Sequence, residues 1–379
     1  MVRQGDLHVL TLNSSGSCFA LERLKQQREE IIRDLVARQR PDGDFLKLRK
    51  FAGRVESYVK PTEYPDWYFF GECPFATANI LYHTRAVADA RMDLVRASGC
   101  ESLVRGMENG VSRYVPDHHK PFDFPADIDD TCLAVAAVEG CGRSISFNLE
   151  LILGNTTAAY DFYTWFVPRA DMQLSEHNRR WLEEDARVYV ERLRSYEMPP
   201  EQVAGLLRQY HDTVEPAICA NVLLAIWRDE RSRPHLNRLL SRFENGDLPG
   251  QYYSDPIVPY FHGARLFEAM GAREDEVRPL AARALAHIEA RQGDQAESPF
   301  YRAMAALTAI YLGRWGLPEL REIVNGMLSY SESDGEWNPL HYCNDLDGVF
   351  VDGSAELTAA LHLEVFDRVI QRSQAEHGT

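Results

Sequence analysis

Three carboxylates stand within four residues in the stretch Asp127-Ile128-Asp129-Asp130. The residues that follow at 133–138 are all apolar, so the pattern predicts that the acids begin a buried helix. A helix N-terminus favours negative charge, and one interpretation is therefore an acidic cap. A single Asp is enough for a cap, however, and carboxylates this close resist joint ionisation. The second interpretation is that one of them stays protonated and acts as a proton donor.

The composition argues against several classes of partner. The net charge of −16 disfavours a nucleic-acid groove, and the basic runs Lys47–Lys50 and Arg179-Arg180 are interpreted as solvated helix faces. Seven cysteines without a Cys-x-x-Cys pair, and an N-terminus unlike a secretory signal, predict reduced thiols and a cytoplasmic protein. No apolar run is long enough to span a bilayer, although contact with a membrane surface stays open. Oligomeric state does not follow from the sequence.

The elements that must position these acids repeat along the chain. Six apolar segments begin at Pro74, Pro125, Pro216, Pro256, Pro299 and Gly353. Five of them open on or near proline, the preferred first residue of a helix. The spacing between starts is 40 to 54 residues, except for 91 residues after the second start. This spacing predicts one helix pair per repeat, with an inserted segment at Leu151–Met172 in the long interval.

Amphipathic, charged segments alternate with the apolar ones, for example Asn178–Tyr196 and Glu274–Ala290. A helix that is apolar all round is buried, and a helix with a charged stripe lies outside. Strand signals are thin. The sequence therefore predicts an all-α fold, a single (α/α)6 barrel of inner and outer helices over residues 18–379, preceded by an N-terminal arm at 1–17. A solenoid of helix pairs is the competing arrangement.

In such a barrel the starts of the inner helices meet at one mouth. Aromatic and polar residues from those starts and from the insertion are therefore expected to lie near the acids. The candidate substrate-binding residues are Trp67, Tyr68, Phe69, Tyr163, Trp165, Asn221, Tyr253, Tyr260, His262 and Phe300. Each of them taken singly is better explained by packing than by function, but their concentration at one mouth predicts a cavity.

The Asp-Ile-Asp-Asp-Thr stretch resembles the Asp-x-Asp-Asp motif of class II terpene cyclases, the squalene–hopene cyclase and diterpene cyclase type. The repeats also resemble the Gln…Gly-x-Trp repeats of that family in degraded form. Residues 39–45 keep the Gln and the Gly, residues 331–337 keep Gly and Trp, and Gln292-Gly293-Asp294 is a weaker copy. The chain is too short for the additional helical domains of many members. It is more similar to the single-domain bacterial cyclases of the merosterolic acid synthase type.

The resemblance implies a protonation-initiated cyclisation. In the family the middle Asp of the motif is the general acid, which corresponds to Asp129, with Asp127 and Asp130 as its supports. Burial would raise the pKa of Asp129 and keep its proton in place. The acid would protonate a terminal double bond of a hydrophobic polyprenyl or prenylated substrate, and aromatic walls would stabilise the cations. No cofactor is required for protonation. Magnesium enters only if the substrate carries a diphosphate. Termination needs water or a base such as His211 or His262.

Several alternatives stay open at this point. The Asp-Asp-x-x-Asp magnesium motif of class I cyclases lacks its last ligand here. A prenyltransferase-like zinc site could use Cys343, Asp352 and His362, but their spacing matches no defensible metal pattern. An α/α-barrel glycoside-cleaving enzyme would use two carboxylates in an open polar cleft. A non-catalytic helical-repeat module would bind a partner at the same mouth and need no special protonation at Asp129.

Overall fold

The computed structural model describes residues 17–51, 68–72, 74–113, 125–195, 199–250, 252–253, 255–291, 298–334, 341–344 and 350–377. The first part of the predicted N-terminal arm, residues 1–16, lies outside these ranges. The helices are α1 Ser17–Arg38, α2 Pro74–Thr84, α3 Ala90–Arg105, α4 Ile128–Gly140, α5 Leu149–Gly154, α6 Glu176–Ser195, α7 Pro200–Asp212, α8 Pro216–Ile226, α9 Arg233–Asn245, α10 Ile257–Met270, α11 Glu274–Ala290, α12 Pro299–Tyr311, α13 Pro318–Asp334 and α14 Ala355–His377. The prediction of an all-α fold is confirmed.

The six apolar segments all form buried helices, namely α2, α4, α8, α10, α12 and α14. Each packs against the next in this order, and α14 packs against α2, so the six helices form a closed ring. Alternating with them are helices on the outside: α3 packs on α2, α9 on α8, α11 on α10 and α13 on α12. Helix α1 packs on α14. An open solenoid would leave the first and last inner helices apart, whereas here α14 packs on α2.

The difference between inner and outer helices follows from their side chains. All eleven residues of α2 are buried, because a helix apolar on every face is stable only when it is surrounded. In contrast, α6 buries Asn178, Leu182, Asp185, Tyr189 and Leu193, which are three or four residues apart and share one face. The solvent side of α6 carries the Arg179-Arg180 pair, as predicted. The outer helix expected at Glu274–Ala290 is α11 with those bounds.

The long interval after α4 contains α5, an extended stretch, α6 and α7. Helices α6 and α7 pack on each other, and with the extended stretch they form a second apolar cluster of Trp165, Val167, Tyr189, Leu193, Val203 and Tyr210. The predicted insertion at 151–172 therefore includes most of α5 and the extended stretch. It connects the ring to helices α6 and α7, which pack on each other outside the ring.

The described strands are short, and the sequence did not predict them. They are β1 Leu46–Phe51, β2 Tyr68–Glu72, β3 Ser112–Arg113, β4 Ala126–Asp127, β5 His341–Asn344 and β6 Phe350–Gly353. Four of them form an antiparallel sheet in the order β2-β1-β6-β5. The interpretation of the basic run Lys47–Lys50 as a helix face was wrong, because this run lies in β1. A strand of this length has too few residues for its alternation to stand out.

The turn after α1 contains Gln39 and Gly43, the two residues that the degraded repeat keeps. The side-chain amide of Gln39 donates to the backbone oxygens of Gly43 and Val95, both at 2.9 Å. Gly43 has φ +91°, and a Cβ there would meet the backbone oxygen of Ser98. Phe45, which stands where the family usually has Trp, is fully buried. The turn thus joins α1 to α3. None of the described helices is both long and apolar enough to cross a bilayer.

Candidate active site

The acidic stretch lies at the start of α4, and Asp127 is the N-cap residue of that helix. Its Oδ1 accepts the backbone N–H groups of Asp129 at 2.6 Å and Asp130 at 3.3 Å. Both donors would otherwise have no partner in the first turn of the helix. Thr131 completes the cap by donating its hydroxyl to the backbone oxygen of Asp127 at 2.6 Å. The capping interpretation therefore accounts for Asp127, and it leaves the side chain of Asp129 for another task.

The inserted segment fixes the backbone just before this cap. The N–H of Ile128 donates to the Thr164 oxygen at 3.0 Å, and the N–H of Phe166 donates to the Ala126 oxygen at 2.9 Å. On the other side, β4 pairs with β3. The approach to α4 is thus held between two extended segments. The start of the helix, and with it the first-turn carboxylates, has one defined position.

Asp129 is 4% exposed, and both of its carboxyl oxygens have partners. The side-chain amide of Asn221, on the neighbouring inner helix α8, donates to Oδ1 at 2.7 Å. The phenol of Tyr253, in the loop before α10, donates to Oδ2 at 3.1 Å. Two neutral donors orient the carboxyl group without pairing it with a cation. The described ion pairs include none to Asp129.

The environment raises the pKa of the acidic pair. Burial raises the pKa of Asp129 to about 6, although the hydrogen bonds from Asn221 and Tyr253 and the nearby charge of Arg265 act in the opposite direction. Burial and the adjacent charge of Asp129 raise the pKa of Asp127 well above its ordinary value. Burial and the proximity of the two carboxyls therefore oppose their joint ionisation.

A cavity lies inside the ring, lined by residues of α2, α10, α12 and α14 and by Tyr253, which donates to Asp129. It is lined by Phe75, Asn79, His83, Tyr253, Phe261, His262, Phe300, Met304, Leu357 and Leu361. Asp129 is not among the lining residues, but Tyr253, which donates to it, is. Most of the wall is aromatic or aliphatic. The arrangement is therefore a mostly apolar cavity, and the carboxyl group of Asp129 lies behind Tyr253, one of the polar residues of its wall.

The helices of the ring present this wall with a regular spacing. Phe75, Asn79 and His83 lie four residues apart on α2, and Phe300 and Met304 lie four apart on α12. Residues at this spacing share one face of a helix, which here is the face toward the centre of the ring. A fully buried arginine, Arg265 on α10, lies behind the wall and donates to His262 Nδ1 at 2.8 Å.

The structure brings four of the ten predicted substrate-binding residues to the acid or the cavity. Tyr253, His262 and Phe300 line the cavity, and Asn221 holds the acid. Trp67 lies outside the described residues. Tyr68 and Phe69 belong to β2, which ends directly before α2.

Three predicted aromatic residues lie elsewhere. The guanidinium carbon of Arg169 lies over the ring of Tyr163, 3.7 Å from the ring centroid. Trp165 donates its indole N–H to the hydroxyl of Tyr252 at 2.8 Å, and its backbone bridges to that of Asp127. Tyr260 packs on Phe243 of α9.

Two further candidates were named as terminating bases. His211 is about half exposed and hydrogen bonds to Asp212 at 2.7 Å. His262 lines the cavity, but its Nδ1 faces Arg265. Among the described residues, no group of three or more His, Cys, Asp or Glu is placed to hold a metal ion.

The sequence reasoning missed Asn79, His83 and Arg265. A signal was present, because each of these polar residues interrupts an otherwise apolar inner helix. A polar residue fully buried in such a helix needs a partner, and the partner is found on another helix of the ring. The lining residues Phe75, Phe261, Met304, Leu357 and Leu361 carried no signal that separates them from ordinary core residues.

No protein-family model matches the sequence, and none of the curated proteins matches it. Solved structures do match. One is a variant of the type II terpene cyclase MstE from Scytonema in complex with the substrate geranylgeranyl dihydroxybenzoate, with a TM-score of 0.65 at 13% identity. Another is an MstE variant with the product merosterolic acid A, with a TM-score of 0.66 at 14% identity. In both cases the match covers 93% of this chain and 99% of the other.

A protein from Actinoplanes is also similar, with a TM-score of 0.64 and 15% identity over 92% of this chain and 99% of the other. At these identities the likeness is one of fold. The chain has the fold of the type II terpene cyclase MstE over nearly its whole length.

Proposed function

We propose that this protein is a class II terpene cyclase, in which Asp129 starts a cation-driven cyclisation by protonating a carbon–carbon double bond. The observation that carries the proposal is the state of Asp129. It is a buried carboxyl group with a raised pKa, oriented by two neutral donors, one of which, Tyr253, lines an apolar and aromatic cavity. The likeness in fold to a type II terpene cyclase supports the same function.

The chemistry needs a strong acid that keeps its proton. An Asp in water has a pKa near 3.9 and is ionised at neutral pH. The apolar surroundings disfavour the carboxylate, while Asn221 and Tyr253 stabilise it once the proton has left. We assign Asp127 to holding the first turn of α4 and to sharing the proton of the pair. Asp130, buried in the same turn, is assigned to support of the acid.

The cavity wall would then guide the cation. Aromatic faces stabilise a desolvated cation by about 0.5–2 kcal/mol each. Phe75, Phe261, Phe300 and Tyr253 supply such faces on different sides of the cavity. A wall of fixed shape also folds a flexible polyene so that its double bonds lie in reactive order. Trp67, Tyr68 and Phe69 remain candidates for the mouth, whereas Tyr163, Trp165 and Tyr260 pack on other residues and are not assigned to it.

We propose a hydrophobic linear polyprenyl or prenylated substrate. MstE binds geranylgeranyl dihydroxybenzoate, a prenyl chain on an aromatic acid, so a prenylated aromatic is one head group to test. A free polyprenyl alcohol and a polyprenyl diphosphate are the others. Proton transfer from a carboxyl group requires no cofactor. Magnesium would be needed only to hold a diphosphate.

The other functions considered have weaker support. A glycoside-cleaving enzyme needs an open polar cleft with two carboxylates facing one sugar bond. Here Asp127 is committed to capping the helix, and the cavity wall is mostly apolar. A binding module has no need of a buried carboxyl pair, which is costly to fold.

The test is an assay of the purified protein with polyprenyl alcohols, diphosphates and prenylated dihydroxybenzoates, with and without magnesium. Mass spectrometry should detect products that are isomers of the substrate. Asp129→Asn should lower turnover by about 10²–10⁴-fold or more, since the amide cannot donate an acidic proton. Asp161→Asn is a matched control, because Asp161 is also buried but pairs with Arg242 of the outer helix α9. A folded Asp129→Asn variant with normal turnover would refute the assignment.

A further inference from the structure

Behind the cavity wall lies a buried cation whose role the mechanism above does not explain. Arg265 is 0% exposed, and among the described residues no carboxylate oxygen lies within 4.0 Å of its guanidinium. Aromatic rings flank it, with the centroids of Tyr82 at 4.9 Å and Phe261 at 5.4 Å. A buried charge is costly unless hydrogen-bond acceptors surround it. The atoms that accept hydrogen bonds from Arg265 therefore use their lone pairs in those bonds.

Four neutral acceptors from three inner helices supply these lone pairs. One nitrogen of the guanidinium donates to Asn221 Oδ1 and, at 2.8 Å, to His262 Nδ1. The other donates to Asn79 Oδ1 at 3.3 Å and approaches His83 Nε2 at 3.5 Å. Since a guanidinium has only donors, each imidazole nitrogen that faces it must present a lone pair. Arg265 thus fixes the tautomers of both cavity histidines.

The hydrogen positions on the two rings follow. With Nδ1 occupied, the neutral ring of His262 carries its hydrogen on Nε2. His83 carries its hydrogen on Nδ1, which donates to Glu364 Oε2 at 2.6 Å. Burial lowers the pKa of His83 to about 4, and burial together with Arg265 lowers the pKa of His262 well below its ordinary value. Neither ring has a lone pair left with which to accept a proton from a molecule in the cavity.

The side-chain amides of Asn79 and Asn221 also accept hydrogen bonds from Arg265. Asn79 donates to the Phe75 oxygen at 2.9 Å and Asn221 donates to Asp129, while the oxygens of both amides accept from Arg265. The atoms that carry lone pairs in these four side chains are His83 Nε2, His262 Nδ1 and the two amide oxygens. Each of these four atoms faces the Arg265 guanidinium. Toward the cavity, these four side chains therefore present N–H donors or carbon atoms, and no basic atom.

We propose that Arg265 is a positioning residue that determines product specificity, because it occupies the lone pairs of His83 and His262 and so prevents these rings from deprotonating a carbocation. The proposal rests on the cyclase function proposed above. When a base removes a proton from the carbon next to a cationic carbon, the C–H electron pair becomes a C=C bond, the proton moves to the base, and cyclisation ends. With both rings held by Arg265, this early ending is suppressed and the cation survives to close the next ring.

The direct test compares the products of Arg265→Met with those of the wild-type enzyme. We expect the proportion of less cyclised, proton-loss alkenes to rise by at least about tenfold, because a general base becomes available. Adding His262→Phe to Arg265→Met should remove the part of this increase that His262 causes and leave the part that His83 causes. Arg265→Lys keeps a buried cation, so its proportion of proton-loss alkenes should lie between those of the wild-type enzyme and Arg265→Met. If a folded and active Arg265→Met variant gives the wild-type products, the proposal is wrong.

A second measurement needs no substrate. In the wild-type protein labelled with ¹⁵N-histidine, NMR should show the His262 ring with hydrogen on Nε2 and the His83 ring with hydrogen on Nδ1. Both rings should titrate below the pKa of an ordinary histidine. The His262→Phe variant assigns one of the two signals. If either ring carries its hydrogen on the nitrogen that faces Arg265, Arg265 does not hold that ring and the proposal fails. If the NMR pattern holds but no polyprenyl substrate reacts, the cyclase function fails, and the product role fails with it.

Discussion

Asn221 and Asp129 are 92 residues apart in sequence, and the side-chain amide of Asn221 donates to Asp129 Oδ1 at 2.7 Å. The oxygen of the same amide accepts from Arg265. Asn221 therefore lies between a protonatable carboxyl group and a buried cation and keeps them from forming a direct ion pair. A direct pair would hold Asp129 as a carboxylate. With the amide between them, the cation can stabilise the conjugate base without removing the proton beforehand.

The first prediction concerns the stability of Asp129→Asn. In the folded protein the pKa of Asp129 is raised to about 6, whereas in the unfolded chain it is ordinary. Below pH 4 both states are protonated and the carboxyl group has no effect on stability. Its ionisation favours the unfolded state increasingly from pH 4 to 6, and the full cost of about 3 kcal/mol is present above pH 6. The Asn variant should therefore be more stable than wild type at pH 8 and equal to it near pH 4. Urea unfolding at both values measures this.

The second prediction is the pH dependence of catalysis. Because the acid must be protonated, kcat/KM should be constant below about pH 6 and fall tenfold per pH unit above it. The rate profile should be measured from pH 5 to 8.5 with one substrate at low concentration. A rate that rises through this range would point to a base, not an acid, as the group that starts the reaction.

The third prediction concerns Tyr253→Phe. The hydrogen bond from Tyr253 lowers the pKa of Asp129, so its loss should move the falling limb of the pH profile upward by about one unit. The maximal rate should drop, because the conjugate base loses a donor. Tyr252→Phe is the matched control. Its hydroxyl accepts from Trp165, so its removal should leave the pH profile in place.

The fourth prediction separates the cavity wall from the general core. Phe300→Leu and Phe366→Leu both shorten a buried aromatic side chain, and each should cost about 1–3 kcal/mol of folding free energy. Phe300 lines the cavity and Phe366 does not appear in its wall. Product analysis should therefore show a changed ratio of cyclised isomers for Phe300→Leu alone. An equal change in both variants would contradict the placement of the reaction in this cavity.

The fifth prediction tests the turn after α1. Gly43→Ala places a Cβ against the backbone oxygen of Ser98 at a residue with φ +91°. It should destabilise the protein by more than about 3 kcal/mol. Gly142→Ala is a control with φ +73° and open space around the Cβ, so it should cost only the backbone strain of about 1–2 kcal/mol. Thermal unfolding of the two variants gives the difference.

The helices and their burial could be predicted from the sequence, because the burial of a helix determines the pattern of its apolar residues. A helix surrounded by others is apolar on every face, and all six apolar segments are inner helices. The strand β1 was missed because a basic stretch such as Lys47–Lys50 is compatible with an exposed helix or an exposed strand. Only pairing with β2 and β6 decides between them.

By itself the sequence determined the helical class, the alternation of buried and exposed helices, and the acidic residues that begin α4. These follow from local periodicity and from the chemistry of capping. The tertiary structure alone decided which side chains meet Asp129, because Asn221 and Tyr253 come from other parts of the ring. It also decided that Tyr163 packs under Arg169, and that Arg265 faces the lone pairs of two histidines. Such contacts depend on the rotation of each helix about its axis, which is set by packing among all six inner helices and leaves no local trace.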